Sequence, residues 1–136
     1  MNRTIKFRGK RIDNGEWVYG SLVVEENKYY IVLSINDNIK RDDYDVYMLE
    51  VIPETIGQFT GLHDKNGKEI YEGDIVKIKY RNEDIGKVIY EHNAFLIDVT
   101  NMNRFYGRVD FVNNFMEIMS NKYDNPELLR GEWRTC

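Results

Sequence analysis

The sequence predicts an all-β fold. Branched and aromatic residues alternate with polar ones at period two, and Gly, Asn and Asp clusters interrupt them at short intervals. Helical start signals appear only near the end of the chain. At 136 residues, the chain has the commonest single-domain length and can bury a core without disulfides or metal. It is expected to form one domain over 1–136, with N-terminal hairpins over 1–52 and a barrel-like core over 53–130.

Ile5 and Phe7 open the first strand, Asp13-Asn14-Gly15 supplies a turn, and Trp17, Val18 and Tyr19 form a second strand. Asn-Gly suits such a turn because it tolerates positive φ. Ser21–Val24 and Lys28–Leu33 read as two further strands joined across Glu25-Glu26-Asn27. From Asn36 to Asp45 only Ile39 and Tyr44 relieve a run of polar and charged residues, which reads as an exposed loop. Val46–Ile52 then resumes as a strand, and Pro53, lacking an N–H, ends it or marks an edge.

The densest turn chemistry lies between Thr55 and Asp74. Asp64-Lys65-Asn66-Gly67 suits a type I turn closed by a glycine of positive φ, and Glu72-Gly73-Asp74 reads as a second tight turn. In the strand that follows, Val76, Ile78 and Tyr80 share one face and Lys77 and Lys79 the other. A polar turn at Arg81–Asp84 leads through Gly86 into Lys87–Tyr90, and after Glu91-His92-Asn93 the chain resumes as Ala94–Val99. Short successive strands with a glycine at the bend describe a small, strongly curved β-barrel. The order Glu-Gly-Asp, strand, loop, Gly-x-Val, strand resembles the start of SH3-like barrels, with the N-terminal hairpin region packed on it. Near the end, Asn125 followed by Pro126, Glu127, Leu128 and Leu129 has the form of an N-cap, a first-position proline and an acidic first turn, enough for a turn or two of helix.

Charge and composition narrow the classes of function. A net charge of −4 repels phosphate backbones and anionic lipid overall. Cys136 is the single cysteine, so no intrachain disulfide forms and a reducing compartment, the cytoplasm, is expected. No apolar run approaches the length of a membrane-spanning helix, and the N-terminal residues lack the apolar core of a signal peptide. Neither membrane insertion nor export is expected.

Candidate chemistry is sparse. Asp64, Glu69, Glu72 and Asp74 lie close together, as hard-cation ligands would, but turn preferences account for them and the spacing is not that of an EF-hand. A purely structural Asp64 is expected to tolerate replacement by Asn, which keeps an acceptor for the turn. His63, His92 and Cys136 cannot assemble a closed zinc set. Ser21, Ser34 and Ser120 lie in no nucleophile-elbow motif, and no phosphate-binding glycine loop is present. The expectation is therefore no catalytic residues, no metal, no cofactor and no enzymatic activity.

Two surface features remain. Arg3, Lys6, Arg8, Lys10 and Arg11 cluster around Phe7, and alternation puts Lys6, Arg8 and Lys10 on one strand face, which reads first as a solvated face. Tyr29, Tyr30, Tyr44, Tyr47, Tyr71, Tyr80, Tyr90, Tyr106 and Tyr123, with Trp17 and Trp133, exceed what such a core buries completely, and some are suited to a protein interface.

Ile5-Lys6-Phe7-Arg8-Gly9-Lys10, Trp17-Val18-Tyr19-Gly20, the run from Gln58 to Asp74, and Asn125-Pro126-Glu127-Leu128-Leu129 together resemble the signature of the YopX family across nearly the whole chain. The resemblance implies a phage or prophage origin, a bacterial host cell and a small β-rich fold, with no established activity. One departure is Ser120-Asn121-Lys122-Tyr123, where the pattern usually has Gly-Asn, and a tighter turn is expected to be lost there. The leading expectation is a non-enzymatic interaction module for a protein partner or a second copy of itself. The alternative is a nucleic-acid-associated regulator built on a small barrel, and an enzyme of novel type ranks last.

Overall fold

The computed structural model describes residues 4–33, 48–79, 83–99 and 104–130. The polar stretch 36–45 lies outside them, as do Arg3, Tyr44, Tyr47, Tyr80, Trp133 and Cys136. Eleven strands are seen among the described residues, in two antiparallel sheets with one short helix. The chain divides into compact units of residues 1–59 and 60–136.

The first unit is built from β1 (Phe7–Lys10), β2 (Trp17–Glu25), β3 (Lys28–Val32), β4 (Met48–Glu50) and the start of β5 (Gly57–His63), in the order β4-β3-β2-β1-β5. β1 and β2 pair with Phe7 opposite Gly20 and Lys10 opposite Trp17. Their turn is tied by Arg11 N–H to the Glu16 carbonyl at 2.9 Å and Gly15 N–H to the Arg11 carbonyl at 3.0 Å. Positive φ falls on Gly15 there, and the β2–β3 hairpin turns on Glu26 and Asn27 at φ 50° and 65°, the geometry of a two-residue type I′ loop.

One expectation is corrected in this unit. The sequence places two strands on either side of Gly20, but β2 runs unbroken from Trp17 to Glu25. Gly20 is a point of close approach: a Cβ there would sit 2.1 Å from the Val32 carbonyl oxygen. The unit also curls on itself, because Ile52 N–H donates to the Lys10 carbonyl at 2.8 Å and Ile12 N–H to the Glu50 carbonyl at 3.1 Å, around an Arg11–Val51 bridge. Strand β4 ends before Pro53, as its missing donor requires. A single 3-10 turn follows at Pro53–Thr55, where the Thr55 hydroxyl donates to the Ile52 carbonyl and accepts from Lys10 N–H.

The second unit holds the rest of β5, then β6 (Glu69–Tyr71), β7 (Asp74–Lys79), β8 (Glu83–Glu91), β9 (Ala94–Val99), β10 (Arg104–Arg108), α1 (Val109–Val112), a 3-10 turn at Asn113–Phe115 and β11 (Met116–Asn121). Its five-stranded sheet has the order β10-β9-β8-β7-β11. β7 buries Val76 and Ile78 on one face, as the alternation predicts; on the other Lys79 is exposed and Lys77 half-buried, but Ile75 is fully buried, so that face is wet only toward the end of the strand. The β8–β9 hairpin turns on His92 and Asn93, both at positive φ. Val76, Ile78, Val88, Ile97, Val99, Val109, Val112 and Met116 form the core with Ile70. Each such side chain contributes about 1.5–3 kcal/mol.

No closed barrel is found among the described residues, and the second sheet has register irregularities at Phe105/Gly107 and Ile118/Ser120. Helix α1 is a second departure, since the sequence confines helix to the end. Val-Asp-Phe-Val has strand propensity, but one helical turn places Val109 and Val112 together in the core and turns Phe111 outward. The terminal helix is 3-10, over Pro126–Arg130, with Leu128 N–H on the Asn125 carbonyl.

Candidate functional site

The four carboxylates of the central motif are the first candidates, and their geometry shows what each holds. Strand β5 delivers Asp64 to the start of the turn, where it is 5% exposed. Its Oδ1 accepts Asn66 N–H and Lys68 N–H, each at 2.9 Å, and its Oδ2 accepts Ile118 N–H at 3.0 Å. The carboxylate closes its own turn and ties it to β11, 54 residues away in sequence. Burial acts to raise its pKa, but the backbone donors of Ile118, Lys68 and Asn66 outweigh it, and the carboxyl titrates below the ordinary range.

This arrangement argues against the expectation that Asn is tolerated at residue 64. Turn and tether use both carboxylate oxygens, and an amide can present only one acceptor. Gly67, at φ +85°, donates its N–H to the Asp64 carbonyl at 3.0 Å. Buried Gly73, at φ +96°, donates to the Val88 carbonyl and accepts from Lys122 N–H. Asp74 Oδ2 accepts Tyr71 N–H at 2.7 Å, and Glu69 Oε1 accepts the Tyr71 hydroxyl at 3.0 Å. Among the described residues no three His, Cys, Asp or Glu side chains converge on a point suited to a metal ion. The exposed His63 lends its backbone carbonyl to the Asn113 amide, and exposed His92 is a hairpin residue.

The basic strand is more than a solvated face. The Arg8 guanidinium lies 4.8 Å from the Trp17 ring centre and Lys10 Nζ 5.5 Å from the same ring, while Lys6 Nζ lies 5.3 Å from that of Phe59. Alternation thus puts the three cations on one side as expected, but Arg8 is 5% exposed. Rings packed against cations in this way gain cation–π energy. On the adjoining turn Arg11 forms a bidentate pair with exposed Asp13 and holds its carboxyl below the usual range.

Sequence reasoning missed the aromatic residue most exposed among the described residues. Phe111 on α1 is 71% exposed, with the Arg108 guanidinium 5.4 Å from its ring centre and Arg108 paired in turn with Asp110. Phe115, four residues on, is 43% exposed. Strand periodicity puts Phe111 on the same face as Val109, and only the helical turn separates them. Tyr71 is buried, Tyr29, Tyr30 and Tyr123 are half-buried, and Tyr90 is exposed with its ring edge-on to Phe95.

The departure at Ser120 leaves an ordered turn. Asn121, almost fully buried, accepts Tyr123 N–H and Asp124 N–H on Oδ1, and the Ser120 hydroxyl donates to Asn125 Oδ1. Side-chain caps take the place of a glycine there.

No curated protein matches the chain. Among solved structures, the crystal structure of protein EF1440 from Enterococcus faecalis is similar, with a TM-score of 0.57 and 21% identity, covering 94% of this chain and 99% of that one. That likeness shows a shared fold. The model of the YopX protein family matches residues 6–130, which contain every element described above, and the chain belongs to this family.

Proposed function

We propose that this chain is a non-enzymatic protein-interaction module, produced from a phage or prophage in the cytoplasm of a bacterial host. The observation that carries the reading is Phe111, a large apolar ring held out to solvent on a helical turn whose Val109 and Val112 are anchored in the core. An exposed aromatic on a rigid base loses little conformational freedom on docking, and aromatic and Arg side chains supply most interface hot spots. Arg108 beside it adds the second of these. We read the second unit as SH3-like: a β7-β8-β9-β10 meander, then a short helical segment, then β11 returning beside β7, supports that finer reading.

Affinity purification from a lysogenic host with quantitative mass spectrometry tests the proposal. The wild-type chain should retain a partner that Phe111→Asp with Phe115→Asp loses. Equal recovery by both chains, or enrichment of nucleic acid alone, counts against it. The cation–aromatic strip of Lys6, Arg8, Lys10, Trp17 and Phe59 favours a second reading, a nucleic-acid-associated regulator. It ranks lower because Arg8 is buried and the net charge is −4.

A further inference from the structure

Two Asn-Gly pairs occupy exposed turns, and the structure treats their side chains differently. Asn14 Oδ1 accepts Glu16 N–H at 2.9 Å, so the side chain is held across its own turn. Asn66 is exposed, and among the described residues its side-chain amide makes no hydrogen bond; only its backbone N–H is engaged, by Asp64 Oδ1 at 2.9 Å. Both following glycines donate their N–H to a backbone carbonyl at 3.0 Å, Gly15 to Arg11 and Gly67 to Asp64. That restraint is common to the two sites. What distinguishes them is the freedom of the asparagine amide.

We infer that Asn66 is a site of spontaneous backbone modification, converting to aspartate and isoaspartate through a cyclic imide faster than Asn14 in the folded protein. The Gly67 nitrogen, having given up its proton to base, attacks Cγ of Asn66, a new C–N bond closes the five-membered imide, and the side-chain nitrogen leaves as ammonia. Water then opens either carbonyl, giving Asp or isoAsp; no electrons are transferred and water is the only co-reactant. Glycine permits the attack because no Cβ shields its nitrogen.

The consequence follows from what the turn holds. IsoAsp adds a methylene to the main chain between Asp64 and Lys68, the span that Asp64 Oδ1 bridges, while Asp64 Oδ2 tethers the turn to Ile118. Conversion therefore loosens the tether of β11, and the modified chain melts at a lower temperature than the unmodified one.

The test is incubation of the full chain at mildly alkaline pH, folded and in denaturant, followed by protease digestion and mass spectrometry of the peptides carrying Asn14 and Asn66. In denaturant the two should convert at comparable rates. In the folded protein Asn66 should convert several-fold faster than Asn14, isoAsp should appear at residue 66, and the melting temperature should fall in step with that conversion. Asn66→Gln should remove the Asn66 product and the time-dependent fall in melting temperature while leaving Asn14 unchanged. Equal or faster conversion of Asn14 in the folded chain, or no conversion of Asn66 while the denatured chain reacts, overturns the inference. So does conversion of Asn66 that leaves the melt unmoved.

Discussion

Asp64→Asn exchanges one carboxylate oxygen for an NH2 group in a site where three backbone donors converge. If the remaining oxygen keeps the Asn66 and Lys68 N–H groups, the new amide faces Ile118 N–H, donor against donor, where a 3.0 Å bond stood. A hydrogen bond to a charged group is worth about 1.5–3 kcal/mol, and an orphaned donor away from water costs about 1–3 kcal/mol. Asn66 and Lys68 are exposed and regain water, whereas Ile118 is half-buried in β11. The loss should therefore be about 2–3 kcal/mol for Asn, and roughly 3–4 kcal/mol for Asp64→Ala, which gives up all three bonds.

Urea unfolding at neutral pH, with and without a chelator, measures both variants. The pH dependence supplies a second reading. The folded pKa of Asp64 is depressed, so its contribution is present above the unfolded value of about 3.9 and is lost as pH falls through the lower folded value. Asp64→Asn should lack that part of the acid slope. An Asp64→Asn chain within about 0.5 kcal/mol of wild type, the range of a neutral surface change, refutes the reasoning. A wild-type loss on adding chelator that matches the Asp64→Asn loss reassigns the carboxylate to a metal.

Other outcomes follow from the same geometry. Gly67→Val and Gly73→Val should each cost on the order of 1–3 kcal/mol in thermal or urea unfolding, because both force a β-branched residue to positive φ. Gly20→Ala should be no milder than about 1–3 kcal/mol, since its Cβ meets the Val32 carbonyl oxygen at 2.1 Å. Far-ultraviolet circular dichroism should be strand-dominated, and a helix content above about one third contradicts the fold. A mixed-sequence single strand should bind no tighter than roughly 1 μM at physiological salt in fluorescence anisotropy. Nanomolar binding abolished by Lys6→Glu with Lys10→Glu promotes the nucleic-acid reading; Arg8 is a poor test residue because it is buried.

Much of the fold was legible because strands write themselves at period two and turns write themselves in Asn, Asp and Gly. The hairpin at Glu26-Asn27, the Asp64–Gly67 turn, the buried Val76 and Ile78 of β7 and the stop before Pro53 all sit where local chemistry puts them. What local chemistry could not show is long-range. Gly20 looks like a breaker, and only its closeness to Val32 in the paired strand makes it a strand residue. Asp64 looks like a turn aspartate, and only its bond to Ile118 makes it a tether. Phe111 escaped notice because a four-residue helix chosen by core packing reverses the face that strand alternation assigns.

The central claim is that the carboxylate motif holds the fold together while the exposed aromatic turn meets the partner. Parallel affinity captures from a lysogenic host, using wild type and Phe111→Asp with Phe115→Asp, test it most directly when each chain is also melted. The aromatic variant should stay folded, because Phe111 is 71% and Phe115 43% exposed and neither belongs to the buried core, and it should lose the partner. A folded aromatic variant that retains every partner of the wild type contradicts the claim.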